Sequence, residues 1–246
     1  MTKKEPTTNR IKKAYPNHIQ SFSPLTIGLA KMLSILFNPL LILPYGYLLV
    51  IWASPHQFGV PSFEFFWSSE LHRNIFQFLM IYILVIPICG MVIMRQLGVV
   101  KSLRRMDRMD RIGPYILTGA FYIAAYMSLP MDEVPPVIKL FILGATIALF
   151  IAFLVNLFSK VSIHSVGMGI LLVAALLIDR QAGQILQNAY GIGGFFLSGH
   201  LLLLTVVVCG FVGSARRILS NHLPADIYGG YFIGFFSVFI ALNFVY

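Results

Sequence analysis

The stretch LFILGATIALFIAFLVNLF, residues 140–158, contains no charged side chain. A bilayer-spanning α-helix needs about 20 predominantly apolar residues, and this stretch has nearly that length. Its hydrophobicity is continuous and does not alternate, as it would in a membrane β-strand. Because backbone groups in lipid must bond within their own segment, the stretch predicts a transmembrane helix.

The rest of the chain has the same character. Of its 246 residues, 58% are hydrophobic and 11% are charged, against roughly 25% charged residues in a soluble domain. With residues 140–158, seven apolar runs come near membrane-spanning length: 33–52, 75–94, 115–129, 140–158, 161–178, 195–212 and 227–245. The sequence therefore predicts an all-α, polytopic transmembrane bundle of about six or seven helices. A basic tail at 1–26 precedes this single domain at 27–246.

Positive charge is distributed unevenly between the two sides of such a bundle. Of the 18 Lys and Arg residues, only Arg73, Lys139 and Arg180 fall on the side opposite the N-terminus. Lys and Arg concentrate in cytoplasmic loops, so the N-terminus is predicted to be cytoplasmic, in a bacterial inner membrane. The net charge of +9 is explained by this topology, and no nucleic-acid partner is expected.

Polar residues outside the tail gather in three places, at 101–114, 160–165 and 213–226. They follow the second, fourth and sixth predicted helices. Because each crossing reverses the side, all three are predicted to lie at one membrane face.

Two of these clusters stand where a helix begins. Ser162 is a typical N-cap residue and Pro224 a typical first-turn residue. Helix N-termini present unpaired N–H groups and partial positive charge, which favour an anion such as phosphate. Each start also carries one histidine, His164 or His222. The pattern predicts a phosphate site made from two helix starts.

The spacing of His222 and Asp226 indicates what this site does. Four residues separate them, which allows the carboxylate to hold one imidazole nitrogen and fix its tautomer. An imidazole so oriented can attack phosphorus, and a second histidine can protonate the leaving alkoxide. Arginines nearby would stabilise the charge on the phosphoryl oxygens. The pattern predicts phosphoryl transfer with no metal and no cofactor.

Residues in this last cluster resemble a known family. Arg216-x5-His222-x3-Asp226 has the spacing of the third signature of the type 2 phosphatidic acid phosphatase (PAP2) superfamily. Val161-Ser162-Ile163-His164 is similar to the second signature, Pro-Ser-Gly-His, at its Ser and His. Arg104-x6-Arg111 resembles the first, Lys-x6-Arg-Pro, with Arg in place of Lys. The resemblance covers roughly residue 104 to the C-terminus.

The resemblance implies a PAP2-like core and a role for each matched residue. It makes His222 the nucleophile, Asp226 its orienting partner and His164 the general acid. The implied phosphate-binding set is Arg104, Arg111, Arg216 and Ser162. The implied activity is hydrolysis of a phosphorylated lipid through a phosphohistidine intermediate, without metal.

Two other interpretations remain open. Ile163 stands where the family has Gly, which favours a non-catalytic relative that binds phosphorylated lipid or belongs to a larger membrane complex. Asp107 and Asp110 suggest instead the magnesium diphosphate site of a membrane prenyltransferase, which would need a second carboxylate cluster.

Two further motifs are ambiguous in sequence alone. Ser198-Gly199-His200 is closer to the second signature, but it begins the sixth predicted helix and Arg216 follows that helix. His200 is therefore predicted to lie on the order of 24 Å from Arg216, at the opposite face. Gly230-x3-Gly234 permits close helix packing, either within one bundle or between two chains, so the oligomeric state stays open.

Overall fold

The computed structural model describes residues 22–53, 62–101, 106, 109–129, 134–190, 200–219 and 222–245, with only the backbone at Phe66 and at 181–190. Regular structure in this part of the chain is entirely helical, which confirms the all-α prediction. The eight helices are α1 (Pro24–Leu36), α2 (Ile42–Ala53), α3 (Glu70–Gln96), α4 (Ile112–Ser128), α5 (Pro136–Phe158), α6 (Ile163–Tyr190), α7 (His200–Ile218) and α8 (Pro224–Val245). Short 3-10 turns lie at Pro39–Leu41, Phe63–Ser68 and Met109–Arg111.

Five of these helices, α3 and α5 to α8, are long and apolar enough to cross a membrane, and α1 with α2 would make a sixth. The third predicted run is α4, whose 17 residues span only about 25 Å. A bilayer core is about 30 Å thick, so α4 is short for a full crossing. The described part of the chain thus supports a multi-pass membrane protein with five or six candidate spans.

The first predicted helix is broken at Asn38-Pro39, where α1 and α2 meet at an angle of 42°. Proline ends α1 because it has no N–H to donate. The Asn38 side chain caps the turn that follows, accepting the Leu40 N–H at 3.0 Å. Helix α1 itself begins at Pro24, with the Ser23 hydroxyl accepting the Thr26 N–H at 3.2 Å.

Helix α6 is the centre of the bundle. Buried positions make up 67% of its membrane-length window, against 22% for α3, which borders the bundle. Helices α8 and α7 pack most extensively on α6, and α1 packs on α7. The start of α6 is therefore surrounded by the ends of several other helices.

Glycines bring α6 and α8 into backbone contact. A Cβ atom at Gly230 would lie 2.6 Å from the Ser162 carbonyl oxygen, and one at Gly234 would meet the Val166 carbonyl oxygen. Gly169 faces the Tyr231 carbonyl oxygen of α8 in the same way. Small residues allow such approach in membrane bundles. The Gly230-x3-Gly234 motif therefore packs helices of one chain.

The fifth and sixth predicted helices, 161–178 and 195–212, leave a loop at 179–194 between them, and this loop is wrong over most of its length because α6 continues to Tyr190. The apolar run ends near Ile178, but the next residues include good helix formers and no proline. Asp179 also has a structural partner, because its carboxylate accepts the Leu202 N–H at 2.8 Å. An acidic side chain at the start of α7 suits the positive end of that helix.

Candidate phosphate site

The three connections that follow every second predicted helix, and were therefore predicted at one face, do meet. Arg111, just before α4, donates from Nη1 to the Val161 carbonyl oxygen at 3.0 Å. The Ser162 N–H donates to the Asp226 carbonyl oxygen at 3.0 Å, which joins the start of α6 to the start of α8. The connections before α4, α6 and α8 therefore lie together at one end of the bundle.

A cavity of about 800 Å³ opens among these connections. Three cations line it, Lys31, Arg111 and Arg216, and so do the imidazoles of His164 and His222. Among the described residues, no carboxylate is part of the wall. Excess positive charge in a partly enclosed space favours an anionic ligand.

Both helix starts form as the sequence predicted. The Ser162 hydroxyl accepts the Ser165 N–H at 3.4 Å, so Ser162 is the N-cap of α6. Pro224 is the first residue of α8, and the Asp226 carboxylate accepts the Leu223 N–H at 3.0 Å. First-turn N–H groups have no partner in the preceding turn of their own helix, and at the start of α6 the Ser162 hydroxyl accepts one of them.

His222 and Asp226 form the predicted pair. His222 Nδ1 lies 3.5 Å from Asp226 Oδ2, and His222 is only 4% exposed. This is an ion-pair distance, longer than a well-formed N–H···O hydrogen bond. The carboxylate faces Nδ1, which leaves Nε2 as the nitrogen that can act as a nucleophile. His222 itself lies on the cavity wall.

Burial lowers the pKa of His222 from 6.5 to about 4. Asp226 opposes this shift by raising the pKa, whereas the positive charges of Arg216, Arg111 and Lys160 lower it further. The imidazole is therefore neutral at pH 7. A neutral imidazole has the free lone pair that nucleophilic attack requires.

His164 is oriented by the first helix. Its Nε2 lies 3.0 Å from the Ser34 carbonyl oxygen of α1. A carbonyl oxygen only accepts, so Nε2 carries the proton in this contact. Any proton that His164 transfers to a ligand must then be held on Nδ1.

Arg216 is also held by α1. Its Nη1 donates to the Ser34 hydroxyl at 3.2 Å, while its Nε is buried and has no hydrogen-bond partner among the described residues. Arg111 is close enough for the two guanidinium charges to repel each other. A bound anion would relieve this repulsion.

Four of the seven predicted site residues, His164, His222, Arg111 and Arg216, thus share the cavity wall. Ser162 is fully buried behind it, and Asp226 is 8% exposed beneath His222. Arg104 lies outside the described residues. The role assigned to each residue stays a prediction.

Polar residues of the wall that were not predicted from the sequence include Lys31 and Ser34 in α1. Ser34 is the one serine of its apolar run, four residues before the Asn38-Pro39 break. Such a polar residue beside a helix break was the available signal. Its partners are more than 120 residues away, and no local spacing indicates them.

The competing motifs lie elsewhere or are incomplete. His200 is the exposed first residue of α7, at the end opposite Arg216. Asp110 sits in the turn before α4, and Asp107 lies outside the described residues. Within the described part of the chain, no group of three His, Cys, Asp or Glu side chains is arranged to hold a metal ion.

The lowered pKa of His222 predicts an acid-dependent loss of stability. In the unfolded chain a histidine titrates near 6.5, so the unfolded state takes up this proton first as the pH falls. Stability should therefore decrease between pH 6.5 and 4, by up to about 3 kcal/mol.

His222→Gln should lack this component of the pH dependence. Detergent-solubilised wild type and variant, unfolded at pH values from 7.5 to 4.5, would test it, and parallel curves would contradict it.

No family model, curated protein or solved structure matches this chain.

Proposed function

We propose that this chain is an integral membrane phosphatase of the PAP2 type, acting on a lipid phosphate monoester or diphosphate. The observation that supports it best is the cavity wall, where two imidazoles and three cations meet with no carboxylate among the wall residues that the structure describes. A carboxylate does stand behind one imidazole, 3.5 Å from its Nδ1. These are the groups that phosphoryl transfer to histidine requires.

In the proposed reaction, the Nε2 lone pair of His222 attacks phosphorus as the bond to the leaving oxygen breaks. Asp226 stabilises the positive charge that develops on the imidazole. Arg111 and Arg216 bind the phosphoryl oxygens, whose charge is spread over three atoms in the transition state. His164, which must carry a second proton on Nδ1 for this step because Nε2 donates to the Ser34 carbonyl, protonates the leaving oxygen from Nδ1. Water then attacks the phosphohistidine, His164 accepts its proton, and inorganic phosphate leaves.

The apolar part of the cavity supports a lipid as the leaving group. Ile35 of α1 and Ile88 of α3 line the cavity and are 72% and 41% exposed, and we infer that part of this exposed area belongs to the outer surface of the bundle. In a membrane that outer surface faces acyl chains. A phosphorylated lipid could then place its headgroup among the cations while its chains stay in the bilayer.

The charge pattern supports a location for the site. We infer that the N-terminus and the cavity face the cytoplasm, in a bacterial inner membrane, because nearly all Lys and Arg residues belong to that side. Cysteine labelling of a tail residue in intact and permeabilised cells would test this orientation. If an impermeant reagent labelled this cysteine in intact cells, the N-terminus would face outward and the inferred orientation would be wrong.

Two adjacent arginines provide a matched test of the proposed activity. Arg216 lies on the cavity wall and Arg217, the next residue of α7, does not. Arg216→Gln should lower phosphate release by about 10²-fold, the usual cost of one transition-state donor. Arg217→Gln should stay within about twofold of wild type. The assay would use purified protein, excess chelator and vesicles containing phosphatidic acid, phosphatidylglycerol phosphate or a polyprenyl diphosphate.

A non-catalytic role is the second candidate, and Ile163 favours it. Its β-branched side chain lines the cavity beside His164, where the family's Gly leaves room for close approach of backbone to phosphate. A phosphate-binding membrane protein would bind inorganic phosphate with a dependence on Arg216 but release none from any lipid. That result would overturn the phosphatase proposal and support the binding function.

A further inference from the structure

Helix α1 contributes a carbonyl group to the site because of how it ends. In a regular α-helix the Asn38 N–H would donate to the Ser34 carbonyl oxygen, four residues back. Here it donates to the Ile35 carbonyl oxygen at 3.2 Å, which leaves the Ser34 carbonyl without its helical donor. Carbonyls in the last turn of a helix lack partners inside that helix. In a membrane protein such a group must be satisfied by a neighbouring element. His164 Nε2 does this at 3.0 Å.

The side chain of Ser34 binds a second residue of the site, Arg216. The Ser34 hydroxyl accepts from Arg216 Nη1 at 3.2 Å. Its distance from Arg216 in sequence is 182 residues, and from His164 it is 130. One residue of α1 therefore contacts both an imidazole and a guanidinium group of the cavity wall.

We propose that Ser34 is a positioning residue, which orients Arg216 and His164 and thereby sets the affinity of the cavity for a phosphate group. Its effect on turnover rests on the proposed function, whereas its effect on anion binding does not. With Nη1 held by Ser34 at 3.2 Å, the guanidinium group of Arg216 is kept in one position at the cavity wall. Without that anchor the guanidinium can move away from Arg111, which repels it.

Substitution of the hydroxyl tests this role. Ser34→Ala removes the acceptor of Arg216 but keeps the backbone carbonyl that orients His164. We expect it to weaken binding of inorganic phosphate, measured calorimetrically in detergent, by about tenfold, since hydrogen bonds to charged groups are the stronger ones. Ser34→Thr keeps a hydroxyl and should restore affinity to within about twofold of wild type.

The matched control is Ser237→Ala in α8. Ser237 is also buried, but its hydroxyl donates to the Ile233 carbonyl oxygen of its own helix at 2.7 Å, away from the cavity. It should bind phosphate like wild type. Equal affinity of wild type and Ser34→Ala would overturn the proposal, and so would a wild type that does not bind phosphate. A loss in Ser34→Ala that Ser34→Thr fails to restore would also overturn it.

Turnover separates this proposal from the proposed function. If the chain hydrolyses a lipid phosphate, Ser34→Ala should raise KM more than it lowers kcat, because it acts on phosphate binding. If wild type binds phosphate with the expected Ser34 dependence but hydrolyses nothing, the phosphatase proposal fails and the positioning role stands. If hydrolysis occurs and Ser34→Ala leaves KM unchanged, the positioning role fails alone.

The contact itself can be tested without a ligand. In a double-mutant cycle of Ser34→Ala and Arg216→Gln, the two changes should not be additive in the unfolding midpoint, because each removes the same hydrogen bond. Additive midpoints would show that Ser34 does not hold Arg216. They would overturn the proposal even if phosphate affinity fell.

Discussion

Replacement of His222 by Asn is expected to lower phosphate release by about 10³-fold or more, since removal of a covalent nucleophile leaves only binding and electrostatic stabilisation. Asn keeps a polar side chain of similar size but offers no nucleophilic nitrogen. His222 is 4% exposed and neutral at pH 7, because burial lowers its pKa to about 4. The loss should therefore appear in kcat, and phosphate should still bind.

His200→Asn is the matched control. It makes the same chemical change at the exposed start of α7, at the other end of the bundle. It should retain wild-type turnover. An alkaline quench of wild type with radiolabelled substrate should trap label on the protein, and His222→Asn should trap none. Wild-type turnover by His222→Asn would remove it from the proposed mechanism.

Replacement of Gly234 by Ala is expected to destabilise the bundle by about 3 kcal/mol or more, at or beyond the upper end of overpacking effects. The added methyl would press on the Val166 carbonyl oxygen, with the Ile170 nitrogen only 3.0 Å away. Both obstacles are backbone atoms of α6, so no rotamer change can relieve the clash. The middle of α8 would have to move away from the first two turns of α6, which would also disturb the site.

A neighbouring glycine provides the control for this prediction. Gly229 lies in the same helix, and a Cβ there would meet no atom within 4 Å. Gly229→Ala should be neutral or stabilise by up to about 1 kcal/mol, since Ala favours helix more than Gly. Detergent unfolding and the fraction of monodisperse protein would report both effects. Equal stability of the two variants would contradict the close crossing of α6 and α8.

Several features of the fold follow from local sequence. The apolar runs predict the helices because membrane insertion depends on the hydrophobicity of one segment at a time. The Ser162 cap and the Pro224 start are confirmed, because helix starts depend on a few adjacent residues. The proximity of His222 and Asp226 also follows from their separation of four residues. Helix α6 is longer than predicted. The prediction ended the helix where the apolar run ends, near Ile178, but helix propensity carries it on to Tyr190.

Features that depend on packing between helices could not be predicted from local sequence. The order of the predicted helices placed three polar clusters at one face, but only the tertiary structure shows that Arg111 reaches Val161 and that Arg216 and His222 share a cavity. It also assigns Gly230-x3-Gly234 to a crossing within one chain, which the motif alone left open.

Ser34 is the clearest example of a site residue that local sequence cannot predict. From sequence it is one serine in an apolar helix, and nothing local connects it to residues 130 and 182 positions away. Hydrophobicity, helix caps and one-turn spacings are short-range properties, so the sequence by itself determined the helices, their starts and the candidate residues. Which helix ends meet depends on side-chain packing across the whole bundle. That packing alone decided that α1 reaches the site.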